Sequence, residues 1–225
     1  MATLKWHGHA TVELQSEQGF VAVVDPWIQQ NPVHPTKQLP DKVDAILVTH
    51  DHFDHVSDAV ALANKTGAKV VAQPEVVDRL VKEGLKQEQG LGMNIGGTVE
   101  IGPLSAHMVH AFHSAANGTP AGYIMTLDNK VVYHLGDTGI FKDLELFGEL
   151  FDIDYALIPV GGHFTMDYKL GALAAKMLRA KKVIPIHYRT FPLLLQDANS
   201  FVEEVKRVSP QTEVIVPEIG ETIQL

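Results

Sequence analysis

The segment from His50 to His55 constrains this chain more than any other, because it places three imidazoles and two carboxylates within six consecutive residues. The segment reads His50-Asp51-His52-Phe53-Asp54-His55. It follows the apolar run 45–48 and precedes a helical pattern, so we expect a loop at the carboxyl end of a strand, where α/β folds place functional sites. Burying these groups together without a partner is costly, so the segment predicts a bound metal ion. A solvated polar loop that collects these residues by chance is the alternative.

Composition narrows the chemistry of such a site. The chain has 225 residues, 12 His and no Cys, which excludes disulfides, iron–sulfur clusters, zinc–thiolate fingers and a cysteine nucleophile. Imidazole and carboxylate ligands suit zinc, manganese, iron or nickel. Lys and Arg number 18 against 27 Asp and Glu, and the net charge of −9 disfavours nucleic acid and anionic membranes as partners.

Short runs rich in β-branched residues predict many strands, and apolar periodicity predicts four helices. The predicted strands are 4–6, 11–14, 20–24, 45–49, 69–72, 98–101, 104–112, 122–127, 131–135, 155–160, 182–186 and 213–216. The predicted helices are 56–65, 74–82, 168–179 and 196–208. Because the first three strands have no helices between them, two sheets packed face to face with helices outside fit better than one doubly wound parallel sheet. We expect a single domain over residues 1–225.

The cluster at His50 resembles a family signature. His-x-His-x-Asp-His after a strand is similar to the motif of the metallo-β-lactamase-fold hydrolases. Four further elements resemble that family's pattern in order, each at the end of a strand-like run: Asp25, His113, Asp137 and His187. The resemblance spans residues 4–187 and implies an α/β (α+β) fold, the four-layer αββα sandwich.

The resemblance also implies a site with two divalent metal ions. His50, His52 and His113 would hold the first ion, Asp54, His55 and His187 the second, with Asp137 as a bridge and Asp25 as a brace for the metal loop. A hydroxide between the ions would be the nucleophile, and Asp54 is the candidate proton acceptor.

A narrower resemblance concerns three short segments. Residues 6–10, 161–166 and 187–192 are similar to a branch of small bacterial and archaeal metal-dependent hydrolases related to the ascorbate-phosphate lactonases. His163 is a candidate to protonate the leaving group or hold an oxyanion, unless it only packs beside its Gly-rich turn. His9 is a candidate pocket residue. Arg189, which stands where a small polar residue is expected, could bind a substrate carboxylate or phosphate, or could merely be solvated.

These features predict a dinuclear hydrolase that cleaves an ester, lactone or phosphodiester bond in a small, anionic substrate. The anionic substrate is expected because two dications add roughly +4 to a site with two ligand carboxylates. The alternatives are a phosphodiesterase or nuclease acting on RNA or DNA, which the net charge and the lack of a basic stripe disfavour, and a non-catalytic metal-binding module.

The expected surroundings of the protein are simple. No apolar run approaches the roughly 20 residues that cross a bilayer, and the first residues lack the basic and apolar regions of a signal peptide. We therefore expect a cytoplasmic protein with a small-molecule substrate and no membrane or nucleic-acid partner. A homo-oligomer is left open.

Overall fold

The computed structural model describes residues 1–225 and contains two mixed seven-stranded sheets. In chain order the strands are β1 (Thr3–Trp6), β2 (Val12–Gln15), β3 (Val21–Val24), β4 (Ala45–Leu47), β5 (Lys69–Ala72), β6 (Gly90–Gly92), β7 (Thr98–Ile101), β8 (Leu104–His110), β9 (Ala121–Leu127), β10 (Lys130–His134), β11 (Tyr155–Pro159), β12 (Lys182–Ile186), β13 (Glu213–Val214) and β14 (Thr222–Gln224). The first sheet has the order β14-β1-β2-β3-β4-β5-β6 and the second β13-β12-β11-β10-β9-β8-β7.

Each sheet changes from antiparallel to parallel pairing partway across, at β3 in the first sheet and at β10 in the second. Strands β1 to β3 pair antiparallel, as predicted, and β3 to β6 pair parallel. Likewise, β7 to β10 pair antiparallel and β10 to β13 parallel. Because parallel neighbours run in the same direction, β3 and β4 end at one edge of the first sheet, and β10, β11 and β12 end at one edge of the second.

Helices cover the outer face of each sheet. They are α1 (Phe53–Val56), α2 (Ala59–Thr66), α3 (Pro74–Lys82), α4 (Asp143–Leu150), α5 (Tyr168–Leu178) and α6 (Asn199–Val208). A core cluster of 47 buried residues joins the two sheets and the inner faces of α4, α5 and α6, while a second cluster of 16 residues joins the first sheet to α2 and α3. The predicted four-layer αββα sandwich is confirmed. None of the six helices is both long and apolar enough to span a membrane.

The structure differs from the predicted elements at a few places. The helix predicted over 56–65 corresponds to α2, which begins three residues later at Ala59, and the short helix α1 before it was not predicted. The three-residue strands β6 and β14 and the helix α4 were not predicted. Helix α4 carries an interior glycine, Gly148, which weakens a helical pattern. A Cβ at Gly148 would lie 2.6 Å from the carbonyl oxygen of Leu178, so the glycine lets α4 approach the end of α5.

Candidate metal centre

The structure brings the predicted metal-binding residues together at one end of the two sheets. Each follows a strand directly or within a few residues: Asp25 after β3, His50 to His55 after β4, His113 after β8, Asp137 after β10 and His187 after β12. Asp25 and His187 both have positive φ angles, 49° and 57°, so the backbone turns sharply as each strand ends. Non-glycine residues rarely adopt such angles unless the surroundings impose them.

The first group of imidazoles comprises His50, His52 and His113. His50 Nε2 lies 2.9 Å from His52 Nδ1, and the ring of His113 is centred 5.1 Å from each of the other two rings. Ligand atoms of all three lie within 4.8 Å of one another. This is the set predicted to hold a first ion.

The second group contains Asp54, His55 and His187, together with His9. Their ligand atoms also lie within 4.8 Å of one another. His9 Nε2 lies 3.0 Å from Asp54 Oδ2, and the His9 and His187 rings are 3.9 Å apart. The first three are the set predicted to hold a second ion, and His9 was not predicted to be so close to it.

Asp137 lies between the two groups. Its Oδ2 is 3.0 Å from His187 Nε2, 3.4 Å from His55 Nε2 and 3.5 Å from His113 Nε2. Its Oδ1 and the Nε2 of His55 are buried and have no hydrogen-bond partner. Buried polar atoms are normally satisfied, so these convergent, unsatisfied donor atoms fit the binding of cations by nitrogen and oxygen.

Outer hydrogen bonds fix the tautomers of two imidazoles. Asp25 accepts from the Thr49 backbone N–H (2.8 Å) and hydroxyl (2.7 Å), and its Oδ2 lies 2.7 Å from His55 Nδ1. Since an ionised carboxylate only accepts, His55 donates from Nδ1 and keeps Nε2 free. The Thr49 hydroxyl donates to Asp25 and therefore accepts from His50 Nδ1 at 3.0 Å, so His50 Nε2 carries no proton and faces His52. Such partners orient metal-ligating histidines, and Asp25 occupies the predicted bracing position.

Asp51, the other carboxylate of the motif, joins the loops of the first group. It accepts from the backbone N–H of Ala116 (2.8 Å) and Asn117 (2.9 Å), shortly after His113. Arg79 lies 3.1 Å from the Asp51 carboxylate and donates to its backbone carbonyl. This bracing role of Asp51 was not predicted. The only signal for it in the sequence was the presence of a second Asp inside the motif.

Opposite pKa shifts on neighbouring imidazoles show where the cluster favours positive charge. Burial, reinforced by His55, lowers the pKa of His50 well below its usual value. Burial acts the same way on His55, but Asp137 and Asp25 outweigh it and raise the pKa of His55 well above its usual value. Although burial opposes ionisation of Asp137, His187 and His55 hold its pKa well below the usual range. The carboxylates therefore stabilise positive charge at the centre of the cluster.

A cavity of about 580 Å³ opens over this cluster. Five of the predicted ligands form its base: His52, Asp54, His113, Asp137 and His187. Its walls are formed by Phe53, Ser114, Phe164, Phe191, Pro192 and Leu193. A small molecule can thus reach the cluster through a cavity with largely apolar walls.

The three residues predicted to contact substrate lie outside the cavity lining. His163 is exposed, and its ring packs edge-on against Phe164 with centroids 4.6 Å apart. Arg189 has a φ of 74°, and its guanidinium lies 3.7 Å from the Glu218 carboxylate. His9 is completely buried behind Asp54. Their contact with substrate stays a prediction.

Thr190, which the sequence did not single out, contacts His9. Its Oγ1 lies 2.6 Å from His9 Nδ1. Burial, together with His187, lowers the pKa of His9 to about 4, so the ring is neutral at pH 7. Because the Asp54 carboxylate can only accept, His9 Nε2 donates to it, and the Thr190 hydroxyl must donate to the bare Nδ1. Thr190 and His9 therefore form a chain of hydrogen bonds that ends on Asp54.

Comparisons with known proteins agree with this geometry. Residues 21–188 match the family model described as the beta-lactamase superfamily domain. A UPF0173 metal-dependent hydrolase from Pyrobaculum islandicum is 42% identical over 227 residues, which cover 99% of each protein. The structure of Igni18, a novel metallo hydrolase from the archaeon Ignicoccus hospitalis KIN4/I, has a TM-score of 0.89 and 37% identity, covering 99% of this chain and 97% of that one. The metallo-beta-lactamase fold protein YhfI from Bacillus subtilis has a TM-score of 0.78 at 14% identity, covering 100% of both chains.

The fold and the buried His/Asp metal-binding cluster define a metal-dependent hydrolase of the metallo-β-lactamase superfamily. Within that superfamily, the chain belongs to the UPF0173 metal-dependent hydrolases. The predicted superfamily is thereby confirmed, while the relation to ascorbate-phosphate lactonases stays a prediction.

Proposed function

We propose that this protein binds two divalent cations and hydrolyses an ester, lactone or phosphodiester bond in a small molecule. The proposed ligands are His50, His52 and His113 for one ion, Asp54, His55 and His187 for the other, and Asp137 for both. The observation that carries the proposal is the convergence of unsatisfied donor atoms on Asp137, whose Oδ2 faces imidazoles of both groups. Zinc, manganese, nickel and iron all suit this ligand set.

The bound cations would lower the pKa of a water molecule to near 7 and polarise the scissile bond. Asp54 would orient that water. Although burial opposes its ionisation, the hydrogen bond from His9 and the nearby His55 hold the pKa of Asp54 far below its usual range, so it stays a hydrogen-bond acceptor. His163, whose ring packs against the lining residue Phe164, is the candidate proton donor for the leaving group.

Two other functions receive less support. No Lys or Arg lines the cavity, whereas binding of RNA or DNA depends on cationic contacts to phosphate. A non-catalytic metal module would need only a closed site with four ligands. Here the ligand set is larger and opens onto a cavity.

Metal analysis and substitution test the proposal together. Elemental analysis of protein purified without chelator should show close to two metals per chain. H50A and D137A should lose most of this metal and all hydrolysis of bis-p-nitrophenyl phosphate, p-nitrophenyl esters and lactones, with far-ultraviolet circular dichroism unchanged. H107A is the matched control, since His107 contacts Thr98 away from the cluster. Full activity in both ligand variants, or no metal in the wild type, would refute the proposal.

A further inference from the structure

The walls of the cavity and its base have opposite character. All the ionisable groups that line the cavity belong to the metal-binding base, while the walls are apolar apart from Ser114 and consist of Phe53, Phe164, Phe191, Pro192 and Leu193. The volume, about 580 Å³, is that of a site for one small molecule. A substrate that places a bond on the base can therefore lay its remaining atoms against apolar side chains.

The rim exposes large apolar side chains to solvent. Phe53 is 59% exposed, Phe164 50% and Leu193 65%. Isolated exposed apolar residues are common, but a group that converges on one concave opening marks a binding site. These three come from separate parts of the chain, so sequence proximity does not explain their convergence.

The wall is braced from behind by an aromatic residue. Trp27 is buried, and its ring stacks on Phe191 with centroids 5.7 Å apart and an interplanar angle of 28°. The same ring meets Phe53 edge-on at 5.8 Å. The Phe53 and Phe191 part of the wall is therefore held in place by aromatic contacts.

Charge around the cavity disfavours an anionic group on this wall. No lysine or arginine lines the cavity. Arg189 lies two residues before the wall residue Phe191, but its side chain is 45% exposed and faces Glu218. The net charge of the chain is −9. An anionic group on this wall would therefore lie against apolar side chains with no cationic partner among the lining residues.

We propose that the substrate is an uncharged ester or lactone with an apolar acyl or aryl group that lies on the Phe53–Phe164–Phe191–Leu193 wall. This inference rests on the proposed hydrolytic function, and it replaces the anionic substrate expected from metal charge alone. Each methylene buried on the wall should raise kcat/KM by roughly three- to fourfold until the wall is filled.

The first experiment uses the metal-loaded protein and two matched series of p-nitrophenyl esters. One series has alkanoyl chains from acetyl to octanoyl, and the other ends in a carboxylate at equal length. We expect kcat/KM to rise along the alkanoyl series and to be at least about 30-fold lower for each carboxylate partner. F164S and L193S should flatten the rise at unchanged metal content. L173S is the matched control, because Leu173 is 41% exposed on α5, outside the cavity.

A binding measurement separates this inference from the proposed function. The neutral fluorophore N-phenyl-1-naphthylamine should bind the wild type and L173S, and bind F164S and L193S at least tenfold more weakly. Binding at the wall without hydrolysis of either series, of lactones or of bis-p-nitrophenyl phosphate would refute the proposed function alone. Hydrolysis with no chain-length dependence, faster cleavage of the carboxylate esters, or equal fluorophore binding by all variants would overturn the apolar substrate. The apolar substrate would also be overturned if F164S and L193S converted an oligomer to monomers and left ester hydrolysis and fluorophore binding unchanged. The rim would then be covered by a second copy of the chain.

Discussion

The histidines of the metal centre can be compared with a separate pair of buried histidines that we do not assign to metal. That pair is His7 and His34, which line a second cavity. His7 Nδ1 lies 3.0 Å from His34 Nε2, almost the same separation as the 2.9 Å between nitrogens of His50 and His52. By distance alone the two groups look alike.

The groups differ in what remains unsatisfied. His34 Nδ1 accepts from the Lys37 backbone N–H at 3.2 Å, and His7 Nε2 lies 3.2 Å from the Glu13 carboxylate. With the contact between the rings, every ring nitrogen of this group has a protein partner. In the metal centre, by contrast, His55 Nε2 and Asp137 Oδ1 have none. Convergent unsatisfied atoms, rather than neighbouring histidines, therefore distinguish a candidate metal site from a hydrogen-bonded core.

The largest effect that tests this contrast is expected from metal removal. A ligand that binds only the folded state adds about 4 kcal/mol to the free energy of unfolding when its concentration is a thousandfold above its Kd. A chelator should therefore lower the melting temperature of the wild type by roughly 10 °C. Differential scanning fluorimetry with and without chelator measures the shift. H34A should show the same shift as the wild type, and D137A much less; a shift lost in H34A instead would show that the wrong group was assigned.

The hydrogen bonds behind Asp54 should have a smaller effect. T190V removes the hydroxyl that donates to His9, so His9 is no longer held in the tautomer that donates to Asp54. Loss of such an outer partner typically weakens metal binding by about 10- to 100-fold. Titration of apoprotein against a chromophoric chelator should show this loss for one of two ions. T190S keeps the hydroxyl and should bind like the wild type, and equal affinity of both variants would exclude the role of Thr190.

The sequence predicted those parts of the site that are local. Each proposed ligand stands at or just past the end of a strand, and the family resemblance that identified it is carried by short local motifs. The contact of His9 with Thr190 joins residues 181 positions apart, and the contacts of Asp51 join residues 65 and 66 positions apart. No local pattern predicts such pairs.

Arg189 and Thr190 show the same limit within two neighbouring residues. The positive φ of Arg189 accompanies an outward guanidinium, while Thr190 is buried against His9. Which of them faces the site depends on a backbone angle that the sequence did not disclose. In the fold, likewise, the short edge strands β6 and β14 were not predicted, because three residues paired on one side depend on their neighbour for definition.

The smallest expected effect is the change in stability on substitution of His34, which we do not assign to metal. H34A removes a stacked ring and its hydrogen bonds, and should lower the free energy of unfolding by about 1 kcal/mol at pH 7. Metal content and kcat/KM should match the wild type. A loss of metal in H34A would place His34 in the metal centre and remove the contrast between the two groups.

The pH dependence of the same variant sharpens the prediction. Burial, with added effects of His7 and Lys37, lowers the pKa of His34 to about 4, against about 6.5 for an unfolded histidine. Between these values the unfolded chain binds more protons at this position, so the wild type loses stability as pH falls from about 6.5 to about 4, and this group contributes no change above that window. H34A lacks this loss, so its deficit in melting temperature should shrink as pH falls towards 4. Thermal melts of metal-free wild type and variant across this range measure the effect, and a deficit that grew on acidification would show that His34 is protonated in the folded protein.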